Sequence, residues 1–82
     1  MTAKNLRCAL IALGAHAARV RIGARELTLP GAREDDAFVI DLDSVTHWDG
    51  PDAAPIDIAE LARITVLIED AFEAEGLEAV FE

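Results

Sequence analysis

The chain has 82 residues, enough for a single domain (residues 1–82) with one modest hydrophobic core. Apolar residues make up 52% of the sequence, which excludes an intrinsically disordered chain despite the net charge of −9. The single cysteine cannot form an internal disulfide. The sequence also shows no signal-peptide pattern and no apolar run long enough to span a membrane, so we expect a cytoplasmic protein.

Charge is distributed unevenly along the chain. Residues 1–33 carry six basic residues and one acid, whereas residues 34–82 carry fifteen acids and only Arg63 as a base. Such an acidic half repels nucleic acid and anionic membranes and attracts basic partners. The alternative interpretation is that the acids only keep a small protein in solution.

The N-terminal third predicts strands. Residues 5–13 are apolar without a polar helical face, and we interpret them as a buried strand, although alanine and leucine also favour a helix. Apolar and charged residues then alternate on both sides of Gly23-Ala24, which is typical of a β-hairpin with a type II′ turn. In this register Arg21 faces Glu26, and apolar residues share the other face, where Val20 is opposite Leu27.

The middle of the chain contains turn signals and one further predicted strand. Pro30-Gly31 is predicted to end the second strand of the hairpin, and residues 34–36 to form an acidic loop. The alternation of Phe38, Ile40 and Leu42 with their neighbours predicts a further half-buried strand. Residues 44–48 are expected to form a short bent strand or a turn, and residues 49–55 a loop.

A long helix is predicted after this loop. Asp57 is placed to be its N-cap, with Glu60 in the third helical position as in a capping box. Gly76 is expected to end the helix, and residues 77–81 to return as a short strand. The fold class is therefore α+β, a mainly antiparallel sheet of four to five strands with one long helix packed on one face and a short C-terminal strand. The predicted buried face of the helix consists of Leu61, Ile64, Ile68, Ala71 and Phe72.

Few residues have the properties of a catalytic or metal site. Cys8 lies in an apolar run where a thiol stays protonated, and His16 has no nearby partner in the sequence. Asp41, Asp43 and Asp49 suggest a Mg²⁺ site, but such acids are ordinary on the polar face of a strand in so acidic a chain. We therefore predict that the protein is not an enzyme and that it needs no cofactor and no metal.

Acidic residues and the single tryptophan are the candidate partner-binding residues. Trp48 is either a core residue whose indole N–H meets a backbone carbonyl, or an interface anchor framed by acids. Acids near a helix C-terminus oppose the helix dipole at a cost of about 0.3–1 kcal/mol each, which points to another demand such as a basic partner. The candidates are the loop residues Glu34, Asp35, Asp36, Trp48, Asp49 and Asp52 and the helix residues Glu69, Asp70 and Glu73.

Several segments follow one another in a distinctive order: Leu29-Pro30-Gly31, Phe38 to Val45, Trp48-Asp49, Pro55-Ile56-Asp57, Gly76, and Val80 to Glu82. In this order they resemble a family of small bacterial immunity proteins that are encoded beside polymorphic or contact-dependent toxins. The resemblance covers residues 17–82. It implies an inhibitor without catalytic residues that binds one cognate toxin domain, commonly a basic nuclease such as a tRNase, and neither nucleic acid nor membrane. A small regulatory or assembly subunit of a larger bacterial complex is the alternative.

Overall fold

The computed structural model describes residues 7–51 and 53–82 and shows a five-stranded sheet with one long helix. The strands lie in the sheet in chain order, antiparallel except for the last two, which are parallel. The predicted α+β fold class is therefore confirmed, with five strands. No described helix is long and apolar enough to cross a membrane. The elements are β1 (Cys8–Leu13), β2 (Ala17–Ile22), β3 (Arg25–Glu34), β4 (Ala37–Ile40), α1 (Ile58–Ala74) and β5 (Glu78–Phe81).

The first two strands and the hairpin follow the sequence prediction closely. β1 is a strand and not a helix, but it forms one edge of the sheet and is only partly buried. The predicted start of this strand, at residues 5–6, lies outside the described residues. In the hairpin, Arg21 pairs with Glu26 and Val20 with Leu27, as predicted. Gly23 has a φ of 64°, the positive value that the first position of a type II′ turn requires.

The third strand is longer than predicted. β3 does not end at Pro30 and Gly31 but continues to Glu34, because the Gly31 N–H donates to the His16 carbonyl at 3.0 Å and extends the sheet beyond β2. The nitrogen of Pro30 faces the opposite side, since successive residues of a strand direct their backbone groups to alternate sides. On that side the Pro30 carbonyl accepts from the Asp41 N–H at 2.8 Å, one residue after the end of β4, so the missing N–H removes only a bond at the end of the ladder.

The predicted strand over residues 38–42 is shorter than expected. β4 ends at Ile40, and Leu42–Ser44 forms a short 3-10 helix. The Ser44 hydroxyl donates to the Asp41 carboxylate at 2.8 Å, which favours this turn over continued strand. The predicted bent strand or turn that follows contains one isolated bridge, between His47 and Pro55.

Helix α1 begins and ends at the predicted signals. The Glu60 N–H donates to the Asp57 carboxylate at 2.7 Å, so Asp57 is the N-cap. The Glu60 carboxylate lies 3.9 Å from the Arg25 guanidinium, in an ion pair. Gly76 has a φ of 78° and reverses the chain directly after the helix. Of the five helix residues that were predicted to be buried, four are buried and Leu61 is half-buried.

The hydrophobic core lies between α1 and one face of the sheet. Its fully buried side chains are contributed by the inner faces of β2, β3 and β4 and by the helix. The rings of Phe38 and Phe72 lie 5.9 Å apart and join β4 to α1. The opposite face of the sheet, called the open face below, carries exposed or half-buried residues such as Arg19, Arg21 and Glu26. The fully buried set is Val20, Leu27, Leu29, Phe38, Ile40, Ile68 and Phe72.

Candidate functional site

Four carboxylates from three separate elements line one cleft. Asp36 comes from the β3–β4 turn, Glu69 and Glu73 from the last turns of α1, and Glu78 from the start of β5. The cleft has a volume of about 510 Å³, and all four acidic residues are exposed. We call this feature the acidic cleft; Gly76, Leu77 and Ala79 complete its lining.

Backbone hydrogen bonds hold the elements of the acidic cleft together. After the helix, the Leu77 N–H donates to the Phe72 carbonyl at 2.9 Å, which fixes the direction of the returning chain. The Glu78 N–H then donates to the Asp36 carbonyl at 2.9 Å, so β5 begins directly beside the β3–β4 turn. Glu69 and Glu73 are one helical turn apart and therefore lie on the same side of α1. The fold thus places two acids of the helix against two acids of the sheet.

The acids of the cleft have no compensating base among the described residues. The three ion pairs that the structure shows use Glu26 and Glu60 as their acids, with Arg19, Arg21 and Arg25 as their bases. Like charges one helical turn apart cost about 0.2–0.5 kcal/mol, and acids near the end of a helix oppose its dipole. The acidic cleft is therefore no source of stability in the isolated chain.

The other acids predicted for partner binding lie elsewhere. Asp70 is on the side of α1 that faces β1, where it lines a small depression with Cys8. Glu34 is the last residue of β3 and lines a shallow depression with Asp41 and Glu82. Residues Glu69 and Asp70 are adjacent in sequence, but they lie on different sides of the helix. The structure thus keeps Glu69 and Glu73 of the helix cluster together and joins Asp36 to them, and it places Glu34 and Asp70 in other depressions.

Asp35 and Asp49 both have local structural roles. Asp35 takes a φ of 48° in the β3–β4 turn, and its carbonyl accepts from the Arg33 side chain at 3.3 Å. The Asp49 carboxylate accepts from the Thr28 hydroxyl at 2.6 Å and from the Thr28 N–H at 3.1 Å. Asp49 thereby covers the edge of β3 that β4 leaves unpaired. Asp52, the remaining predicted residue of this loop, lies outside the described residues.

Trp48 is a core residue that also lines a groove. It is 5% exposed, which agrees with the core interpretation of the sequence. The expected backbone acceptor is absent, however, because the indole Nε1 has no hydrogen-bond partner among the described residues. The Arg25 guanidinium lies 5.1 Å from the centre of the indole ring, in a cation–π contact. The charged group stacked on the indole ring is therefore a base.

Two titratable groups have a pKa that departs from its ordinary value. Burial raises the pKa of the Cys8 thiol to about 11, so this cysteine is a poor nucleophile at neutral pH. The hydrogen bond from Arg21, with Arg19 nearby, lowers the pKa of the Glu26 carboxyl. No group of three or more His, Cys, Asp or Glu side chains in residues 7–51 and 53–82 is arranged to hold a metal ion.

Comparison with known families gives a match over most of the chain. Residues 10–82 match the model of the family described as Immunity protein 74. The chain belongs to this family. The resemblance to immunity proteins of bacterial toxin systems is thereby confirmed, and the Immunity protein 74 assignment gives the chain an immunity, or antitoxin, role. No curated protein and no solved structure matches the chain.

Two features of this Immunity protein 74 family member were missed by reasoning from sequence. Glu78 joins the acidic cleft, and the signal was its position two residues after the helix stop at Gly76. The second feature is the pair Arg25 and Arg63, which line the same groove as Trp48. Here the signal was that Arg63 is the only base in residues 34–82.

Proposed function

We propose that this immunity protein neutralises a toxin domain with a basic surface, a nuclease in particular, by presenting the acidic cleft to it. One observation carries the proposal. Asp36, Glu69, Glu73 and Glu78 all line one exposed cleft, and no described Lys or Arg pairs with them. A cluster of uncompensated acids is the complement of a Lys- and Arg-rich surface.

Nucleases bind the phosphates of their substrate with Lys and Arg side chains. An acidic protein that docks on those side chains takes the place of the phosphates and blocks substrate binding. The same charges accelerate the encounter, since complementary fields raise association rate constants to about 10⁸–10⁹ M⁻¹s⁻¹ at low salt. Fast association is useful to an antitoxin because the toxin must be bound before it damages nucleic acid.

This mechanism requires binding alone. The chain would act without turnover, as one antitoxin for one toxin domain, with no cofactor, metal or catalytic residue. Its place of action would be the cytoplasm, where a nuclease reaches nucleic acid. Membership of the Immunity protein 74 family favours this role over a regulatory or assembly subunit.

The proposal is tested by protection of cells. The toxin domain encoded beside the immunity gene is co-expressed with wild-type protein or with the double variant Glu69→Lys, Glu73→Lys. Both side chains are exposed, so the variant should fold as the wild type does. We expect the wild type to restore growth and the double variant to lose most of its protection, because two repulsive contacts replace two attractive ones.

The matched control is Glu34→Lys, Glu82→Lys, which makes the same change of net charge in the separate depression beside β3 and β4. It should protect as the wild type does. Equal protection by both double variants would refute the role of the acidic cleft. Failure of the wild type to protect, with both proteins folded, would refute neutralisation of this toxin.

A further inference from the structure

A second concave surface lies between the β2–β3 turn and helix α1, and its chemistry is opposite to that of the acidic cleft. This groove has a volume of about 780 Å³, within the range of sites that hold a ligand or several side chains. Its apolar walls include Ile22, Trp48, Ile64 and Leu67. We call it the arginine groove, because Arg25 and Arg63 also line it.

Two groups in the arginine groove, Arg63 and the Trp48 indole N–H, lack a partner within the described part of the chain. Arg63 makes no ion pair there, although it is the only base in residues 34–82. Arg25 has a long ion pair, at 3.9 Å, with Glu60, which also lines the groove. The Trp48 indole N–H is buried without an acceptor, and a buried unpaired donor typically costs about 1–3 kcal/mol.

The mouth of the arginine groove is apolar as well. Val66 lines the groove and is 58% exposed, so a large aliphatic side chain of the helix lies in water. Val66 therefore adds exposed apolar surface to the buried apolar walls of the groove. A ligand that fits must offer an apolar group to the walls and negative charge to the Arg63 guanidinium, because Arg25 already pairs with Glu60.

We propose that the arginine groove is a second docking site for the cognate toxin, which inserts a bulky apolar side chain beside a carboxylate. The inference rests on the proposed function, since it names a further contact with the same partner. Arg63 lies on the side of α1 that faces the β2–β3 turn, and Glu73 lies on the side that faces β5, about 15 Å further along the helix at 1.5 Å per residue. The exposed Val66 is two turns before Glu73 on the outer side of α1, so one toxin domain that lies across the helix can contact both sites. Two sites of opposite charge on either side of one helix fix the orientation of the partner and reject toxins that match only one of them.

Removing the charge of Arg63 distinguishes docking in the arginine groove from attraction of the toxin by net charge alone. Arg63→Gln makes an already acidic protein more acidic, so attraction to a basic toxin by net charge alone predicts equal or faster association. Docking of a carboxylate on Arg63 predicts the reverse, a Kd for the toxin domain that rises about tenfold or more, mainly through faster dissociation. Val66→Gln should raise the Kd several-fold in the same way. Arg19→Gln removes the same charge from the open face and should leave the Kd unchanged.

A second readout reports on the arginine groove directly. Trp48 is the only tryptophan, so the ¹⁵N-labelled protein gives one indole N–H signal in its spectrum. This signal should shift when the unlabelled toxin domain is added.

The proposal would be overturned if Arg63→Gln and Val66→Gln both bound the toxin domain with the affinity of the wild type. It would also be overturned if the indole signal stayed in place while the wild-type protein bound the toxin domain. Neither result would contradict the proposed role of the acidic cleft. Concentration-dependent dimerisation that Val66→Gln abolishes would assign the groove to a second copy of the chain. Tighter toxin binding after removal of residues 1–6 would assign it to the N-terminal segment. Absence of binding by the wild type would overturn both this proposal and the proposed function.

Discussion

Replacing Gly31 with alanine is expected to destabilise the protein strongly, although Gly31 lies within a strand and not in a turn. A methyl group on Gly31 would overlap the carbonyl oxygen of Val39 and lie 2.9 Å from the Phe38 ring. Overpacking costs about 1–3 kcal/mol where side chains give way. Here the obstacle is the backbone of β4, so we expect about 3 kcal/mol or more of a total stability of about 4–12 kcal/mol for a chain of this length.

The Gly31→Ala prediction is tested by thermal and urea unfolding, followed by circular dichroism and by the fluorescence of Trp48. A loss of 3 kcal/mol should lower the Tm by about 12–24 °C in a domain of this size. Ala32→Gly is the matched control, because Ala32 is next in the strand and removing its methyl group should cost about 1 kcal/mol or less. If the Gly31→Ala protein melts with the wild type, β3 and β4 do not approach as closely as the structure shows.

Two further predictions concern the helix cap and the cysteine. Asp57→Ala should lower the free energy of unfolding by about 0.5–2 kcal/mol because the Glu60 N–H loses its acceptor, and an unchanged urea midpoint would mean that the cap contributes nothing. Cys8, with a pKa of about 11, should react with iodoacetamide far more slowly at pH 8 than the unfolded chain does, and its rate should rise with pH up to about 11. A plateau of the reaction rate near pH 9 would show that the thiol is not held in its neutral form.

Local signals in the sequence were sufficient to predict the β2–β3 hairpin and helix α1. The turn at Gly23 and the cap at Asp57 each depend on residues within a few positions, so their chemistry can be read directly. The extension of β3 through Pro30 and Gly31 could not be read in this way. The local preference of that pair for a turn is overridden by pairing with β4 and with the β1–β2 turn, which are long-range contacts.

The candidate site was predictable in composition but not in arrangement. Acids at the end of α1 that oppose the helix dipole indicated a binding surface, and the structure places Glu69 and Glu73 in one cleft. The parallel pairing of β4 with β5 joins residues about forty positions apart, Ala37 with Glu78, and no local pattern encodes it. That pairing brings Asp36 beside Glu78 and the end of the helix, so the arrangement of the acidic cleft follows only from the three-dimensional structure.

The measurement that tests the central claim most directly is the rate constant of association with the toxin domain encoded beside the gene, at about 50 mM and about 200 mM salt. The wild type should associate fast at low salt and much more slowly at high salt, because salt screens the attraction between the acidic cleft and a basic surface. The Glu69→Lys, Glu73→Lys protein should associate slowly at both salt concentrations, whereas Glu34→Lys, Glu82→Lys should stay closer to the wild type. Equal rates and equal salt dependence for all three proteins would show that the acidic cleft does not recognise the toxin.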